Sequence, residues 1–172
     1  MGRFIIYYDS FIISALAKRE ARKEFSLLYK GFSRLGDGYA YGLIGLLELL
    51  FFGEQGRFMF LAMLIAYGIQ IPAYLVIKKT VKRLRPFDKL ENIKNMIAAP
   101  DKYSFPSGHT AAAFLMAGSL SFQFPDFQFL FYSIAVLIGS SRVYLRVHYP
   151  TDVIAGAFLG YMSSALGIWM VF

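Results

Sequence analysis

The chain has 172 residues, of which 57% are hydrophobic, 18% aromatic and only 17% charged, against about 25% charged in soluble domains. A single core of this size cannot take so much apolar surface out of water, so a bilayer is expected to hold the remainder. The absence of cysteine excludes a disulfide framework, thiol chemistry and cysteine-ligated zinc, while a net charge of +7 admits nucleic acid, anionic lipid or phosphate as partners.

In chain order, the first apolar stretch is Phe4 to Ala17, with Asp9 in its middle. It runs into Lys18, Arg19, Arg22 and Lys23 without a small-residue cleavage site, so it is expected to stay attached. As a helix it rises only about 21 Å, short of a hydrocarbon core of about 30 Å, and is read as interfacial. Ala21, Phe25, Leu28, Tyr29, Phe32 and Leu35 then recur at helical spacing among charges, which predicts a second interfacial or capping helix that stops at Gly36-Asp37-Gly38.

Five further stretches read as membrane helices: Tyr39 to Gly53, Phe58 to Ile77, Thr110 to Phe124, Phe127 to Gly139 and Val153 to Phe172. The second and fifth are long enough to cross. The others reach across only with interfacial residues at their ends or a helix that runs on. Glu54 to Arg57 and Pro125-Asp126 are predicted tight turns, and Lys78 to Ser107 is the longest polar stretch. The fold class expected is all-α, a single domain over residues 1–172 built as a multipass transmembrane bundle of five or six spans behind interfacial N-terminal helices.

With those spans, all of the 18 Lys and Arg except Arg57 fall on one face. No motif or aromatic platform accompanies them, so nucleic acid is a poor explanation and lipid or phosphate a better one. On that face Lys78 is followed after six residues by Arg85-Pro86, then Pro106-Ser107-Gly108-His109, then Ser141-Arg142, five residues, His148, three residues and Asp152. His109 and His148 are the chain's only histidines. A phosphoryl group needs cations around its oxygens, a nucleophile in line and an acid at the leaving oxygen. Lys78, Arg85 and Arg142 can supply the first, and the two histidines the others. Ser107-Gly108 opens an apolar helix, where unsatisfied amides bind anions. Asp152 stands where it can accept a hydrogen bond from one nitrogen of His148 and leave the other free.

These three motifs match at every position the signature of the type 2 phosphatidic acid phosphatase superfamily, which the chain resembles from Lys78 to Asp152, and in helix pattern from Gly36 to Phe172. The resemblance implies that Lys78, Arg85, Ser107, Gly108 and Arg142 hold the phosphate. It implies that His148 is the nucleophile, oriented by Asp152, and that His109 is the general acid. It further implies a phosphohistidine intermediate without metal or other cofactor. Small members of the family act on lipid A carrying a 1-phosphate, undecaprenyl diphosphate and phosphatidylglycerol phosphate, and the absence of a large extramembrane domain leans the reading to lipid A 1-phosphate in a bacterial inner membrane. The charge bias points the catalytic face to the cytoplasm, whereas the resemblance implies a periplasmic or extracellular face, which is the side expected here.

Other residues have plainer readings. Lys79, Lys82, Arg83, Lys89, Lys94 and Lys102 are expected to be solvated or to meet headgroups, and Arg146 is a candidate for a second phosphate. Glu48, inside a predicted span, is either functional or reaches toward the interface. Gly156-x3-Gly160 fits close helix packing within the chain. A lipid phosphotransferase, a non-enzymatic lipid-phosphate binder and a vanadate-using haloperoxidase are the rival functions.

Overall fold

The computed structural model describes residues 3–18, 23–91, 93–99 and 101–172, so Arg19, Ala21 and Arg22 lie outside the described residues. These hold eight α-helices and one 3-10 turn, with no β-strand beyond the isolated bridge between Leu84 and Tyr103. Helices α1 (Arg3–Lys18) and α2 (Lys23–Leu35) match the two N-terminal patterns; α3 (Tyr39–Phe51), α4 (Gly53–Val81), α6 (Gly108–Gln123), α7 (Gln128–Tyr144) and α8 (Pro150–Val171) match the five apolar stretches, and α5 is the single turn Pro86–Lys89.

Two boundaries differ from the sequence reading. Glu54 to Arg57, expected as a turn, is the first turn of α4; the reversal falls one residue earlier, at Gly53, whose φ of 61° few other residues adopt. At its other end α4 runs past the apolar stretch to Val81, so its 29 residues reach about 44 Å and carry Lys78 beyond a hydrocarbon layer on the helix's last turn. Likewise α7 continues from Gly139 through Ser140, Ser141 and Arg142, because nothing there breaks a helix. The segments Gly53–Val81, Pro125–Tyr144 and Pro150–Val171 are long and apolar enough to cross a membrane; α3 is apolar but shorter.

The bundle is organised around α6, whose small residues let neighbours approach from three sides. Met59, Ala62, Met63 and Ala66 of α4 pack on Leu115 and Met116, while Ala135 and Ile138 of α7 pack on Ala113 and Ala117. Against α8 the approach is backbone to backbone: a Cβ on Gly156 would lie 2.5 Å from the Ser107 carbonyl oxygen and one on Gly160 2.0 Å from that of Ala111. Gly156-x3-Gly160 is therefore an internal packing seam, as expected. Where lipid supplies no hydrophobic drive between helices, such close contact is what holds them together. Leu64, Phe129, Phe158 and Trp169 face outward, as a bilayer-embedded surface requires and a soluble one does not.

The two ends of the bundle are chemically unlike. At one, Phe52 meets Phe124, Phe58 and Phe122 meet Phe172, and the buried Glu48 carboxylate accepts a hydrogen bond from Gln123 Nε2 at 2.6 Å. At the other, the C-termini of α2, α4 and α7 converge on the N-termini of α6 and α8, and every residue of the three motifs is found there.

Candidate active site

The site is assembled from helix ends. Ser107 is the N-cap of α6: its hydroxyl accepts from Thr110 N at 3.4 Å and Thr110 Oγ1 at 2.9 Å, and its amide donates to the Asp152 carbonyl oxygen at 2.9 Å. The next two amides, of Gly108 and His109, have no intrahelical acceptor and point out of the helix's positive end. Tyr74 closes the space beside them, since a Cβ on Gly108 would come within 3.1 Å of its ring.

Arg85 is 1% exposed and held on several sides: Nη1 donates to the Val147 carbonyl at 2.7 Å, Nε to the Asp101 carbonyl at 2.8 Å and Nη2 to Asp101 Oδ1 at 2.8 Å. Lys78 Nζ donates to the other oxygen of Asp101 at 2.6 Å and also to the Tyr74 hydroxyl. The Asp101 carboxylate thus lies across two of the predicted phosphate cations. Burial alone would raise its carboxyl, but Lys78 and Arg85 together hold it below the ordinary carboxylate range. Arg142, 2% exposed, donates through Nη1 to the Ser33 hydroxyl on α2, and its Nε has no partner among the described residues.

His148 sits in the short connection between α7 and α8 and is 2% exposed. Its Nδ1 lies 2.7 Å from the Ser104 carbonyl oxygen and its Nε2 3.4 Å from Arg85 Nη1. A carbonyl only accepts and a guanidinium only donates, so the proton is on Nδ1 and the Nε2 lone pair faces the cations. Burial, reinforced by Arg85 and Arg142 and only partly opposed by Asp152, pushes the imidazole down to about 4, leaving it neutral at physiological pH.

Here the sequence reading of the orienting group needs amendment. The hydrogen bond that fixes His148 goes to the Ser104 carbonyl, whereas Asp152 Oδ2 stands 3.7 Å from Nδ1. That carboxylate is committed elsewhere: Oδ2 accepts from the Tyr149 amide at 2.8 Å, and Oδ1 from Arg83 Nη1 at 2.7 Å. Asp152 still supplies negative charge behind the imidazole, but its hydrogen bonds shape the start of α8.

Arg83, read from sequence as a solvated or headgroup-facing cation, is in fact nearly buried, with its side chain 8% exposed. It donates to Asp152, to Thr151 Oγ1 at 2.8 Å and to Asp9 Oδ2 at 2.6 Å, and its guanidinium lies 3.9 Å from the Tyr149 ring centroid. Asp9 is the acid in the first apolar stretch, here 2% exposed on α1, where it also accepts from the Thr151 hydroxyl. An acid amid apolar helix residues signals a buried partner, and following that signal would have led to Arg83.

His109, on the first turn of α6, faces a different group. Its Nε2 is 2.8 Å from Asp37 Oδ1 in the turn after α2, a residue the sequence reading treated only as part of a helix stop. Arg146, the candidate for a second phosphate, has φ 63° and donates through Nη1 to the Lys94 carbonyl at 3.4 Å, its Nε has no partner among the described residues, and it does not line the cavity beside His109. Glu48 lies at the far end of the bundle.

The geometry therefore gathers Lys78, Arg85, Arg142, the α6 N-terminus and the free Nε2 of His148 at one end of a membrane bundle, with His109 and Asp37 alongside. A sequence model of the PAP2 superfamily matches residues 56–172, more than half of the chain. The chain belongs to the PAP2 superfamily. It is 34% identical over 137 residues to a protein of Sulfolobus acidocaldarius named undecaprenyl-diphosphatase, covering 79% of this chain and 66% of that one. It is also 41% identical over 61 residues to a lipid A 1-phosphatase of Rhizobium etli, covering 35% of this chain and 26% of that one. The chain thus spans just under two thirds of the first relative's length and about a quarter of the second's. The crystal structure of a transmembrane PAP2 type phosphatidylglycerolphosphate phosphatase from Bacillus subtilis matches 98% of this chain and 87% of that one, with a TM-score of 0.81 at 26% identity. The all-helical PAP2 membrane fold expected from the motifs is the fold observed.

Proposed function

We propose that the chain is a metal-independent lipid phosphate phosphatase. The observation that carries this reading is the His148 imidazole, whose tautomer leaves Nε2 unprotonated and beside Arg85, at the foot of an anion-binding helix N-terminus. In this mechanism Lys78, Arg85, Arg142, Ser107 and the Gly108 amide hold a terminal phosphate. The cations neutralise its oxygens, which is where charge accumulates in phosphoryl transfer. His148 Nε2 attacks phosphorus, the bond to the lipid oxygen breaks, and His109 protonates that oxygen. Water then cleaves the phosphohistidine, giving its proton to His109 and releasing inorganic phosphate.

The bundle is read as crossing the membrane five or six times, with α1 and α2 at the interface. The catalytic end is placed on the periplasmic or extracellular side of a bacterial inner membrane. Candidate substrates are lipid A 1-phosphate, undecaprenyl diphosphate and phosphatidylglycerol phosphate, the classes named for its relatives and structural neighbour.

The test is phosphate release by detergent-purified protein from those three lipids with EDTA present, repeated with His148→Ala. Release that survives EDTA and disappears in the variant is expected. Near-normal turnover in His148→Ala would sink the mechanism, and transfer of labelled phosphate to a lipid acceptor in place of water would make the protein a transferase.

A further inference from the structure

Beyond the phosphate cradle the site opens into a cavity of about 420 Å³. Its walls include His109 and Arg142 but none of His148, Lys78 or Arg85, so it extends from the leaving-group side. Two more cations line it, Lys30 and Arg34, and Asp37 is its one acid. Lys30 and Arg34 are four residues apart on α2 and so share a face. Among the described residues neither is paired with a carboxylate, whereas Lys78, Arg83 and Arg85 each are. The cavity also borders Arg142, a side chain 2% exposed whose Nε is left without a partner. A buried donor without an acceptor points to an anionic group supplied by a ligand.

Resting on the phosphatase reading, we propose that Lys30, Arg34 and the outer edge of Arg142 form a second phosphate subsite, and that the preferred substrates are therefore lipid diphosphates. The terminal phosphate occupies the cradle of Lys78, Arg85 and the α6 N-terminus, with Arg142 between it and the second subsite. The inner phosphate, which carries the lipid, occupies the Lys30 and Arg34 cavity. His148 Nε2 bonds to the terminal phosphorus, the bridging P–O bond breaks, and the bridging oxygen departs on the lipid monophosphate with a proton from His109. Negative charge develops on that departing phosphate, where two otherwise unneeded cations stabilise it. Water then hydrolyses the P–N bond and gives its proton back to His109, leaving His148 neutral and His109 protonated as at the start and releasing inorganic phosphate. A lipid monophosphate leaves as an alcohol and makes no use of Lys30 or Arg34.

The experiment compares farnesyl diphosphate with farnesyl phosphate, which share a chain, in neutral detergent, using the wild type, Lys30→Ala/Arg34→Ala and Lys30→Arg/Arg34→Lys. The alanine pair should lower kcat/KM for the diphosphate by about tenfold or more, as expected for losing two charge-assisted contacts. It should leave the monophosphate within about twofold, and the charge-retaining pair should recover most of the loss. Unchanged monophosphate turnover is also the control that the variant is folded. If the alanine pair misfolds, Arg34→Gln at an exposed position carries the same comparison, with the same selective loss expected.

Equal loss on both substrates by a folded variant, or loss on neither, overturns the second subsite. So does a loss that appears only when phosphatidylglycerol is added, because the cations then bind a separate headgroup. A wild type that cleaves the monophosphate but shows no such selectivity leaves the phosphatase reading standing. A wild type that cleaves neither substrate removes both.

Discussion

Asp37 Oδ1 lies 2.8 Å from His109 Nε2, joining the turn after α2 to the first turn of α6 across 72 residues of sequence. In the proposed mechanism the contact holds the ring that protonates the leaving oxygen. Asp37→Ala should lower kcat by about ten- to hundredfold while KM changes little, a smaller loss than the about 10²–10⁴-fold expected from removing a general acid. Parallel steady-state kinetics of Asp37→Ala and His109→Ala check this; a KM effect with normal kcat would assign Asp37 to substrate binding.

The chain holds only two histidines, so a nitrogen-15 NMR titration in detergent gives two resolvable imidazoles. His148 should remain neutral, with its proton on Nδ1, until the pH nears 4. An unfolded histidine protonates near pH 6.5, above the folded value, so His148 contributes stability fully above about 6.5 that is lost as the pH falls toward 4. A midpoint at or above 6.5 in the folded protein would contradict its burial among cations.

Arg83 neutralises both Asp9 and Asp152 in a nearly dry setting. Arg83→Met strands two buried carboxylates and should destabilise by about 3–5 kcal/mol, as removal of one partner from a buried ion pair does. The neighbouring exposed Lys82→Ala should stay within about 0.5 kcal/mol of the wild type. Thermal unfolding of the purified variants in detergent compares them, and similar midpoints would remove Arg83 from the framework of the site.

Glu48, for which the sequence allowed two readings, pairs with Gln123 at the end of the bundle away from the histidines. Glu48→Ala should lower the unfolding midpoint, because Gln123 loses its acceptor. It should leave kcat within about twofold. Loss of turnover at unchanged stability would give it the functional role instead.

Gly156 and Gly160 both touch α6 backbone, at different distances from the chemistry. A methyl on Gly156 presses on the Ser107 carbonyl at 2.5 Å, and one on Gly160 on that of Ala111 at 2.0 Å. Both alanine variants should be less stable. Gly156→Ala should in addition lose activity in its folded fraction, since it displaces Ser107, which opens the turn proposed to bind phosphate. Active-site titration per folded molecule separates the two effects.

The three motifs were legible because they fix residue types at set spacings, and the structure brings those residues together at one end of the bundle. The five apolar stretches were legible for the same reason that they are apolar, since lipid tolerates few alternatives. Boundaries were less legible: Glu54 to Arg57 looks polar enough for a turn, yet the reversal is made at Gly53, with φ 61°, while Gly56 stays helical and packs on the Glu48 carbonyl. The charge network was missed because Arg83 resembles its exposed neighbours Lys82 and Lys79 in sequence. Its burial depends on α1 arriving with Asp9, which no local pattern reports. Asp37 was hidden in a similar way, as a turn residue whose partner lies on another helix.

The seam between α6 and α8 has one more implication. Ser119 and Ser164 meet across it at 3.1 Å, but at its catalytic end Gly156 lets the main chains touch and the Ser107 amide bonds to the Asp152 carbonyl, so main-chain contact sets the spacing between the turn that opens α6 and the helix start behind His148. Residues on the outer faces, such as Leu64, Phe129 and Phe158, can change without altering that spacing. Substitutions there should therefore reshape the lipid-facing surface of this chain while Ser107 and His148 keep their alignment.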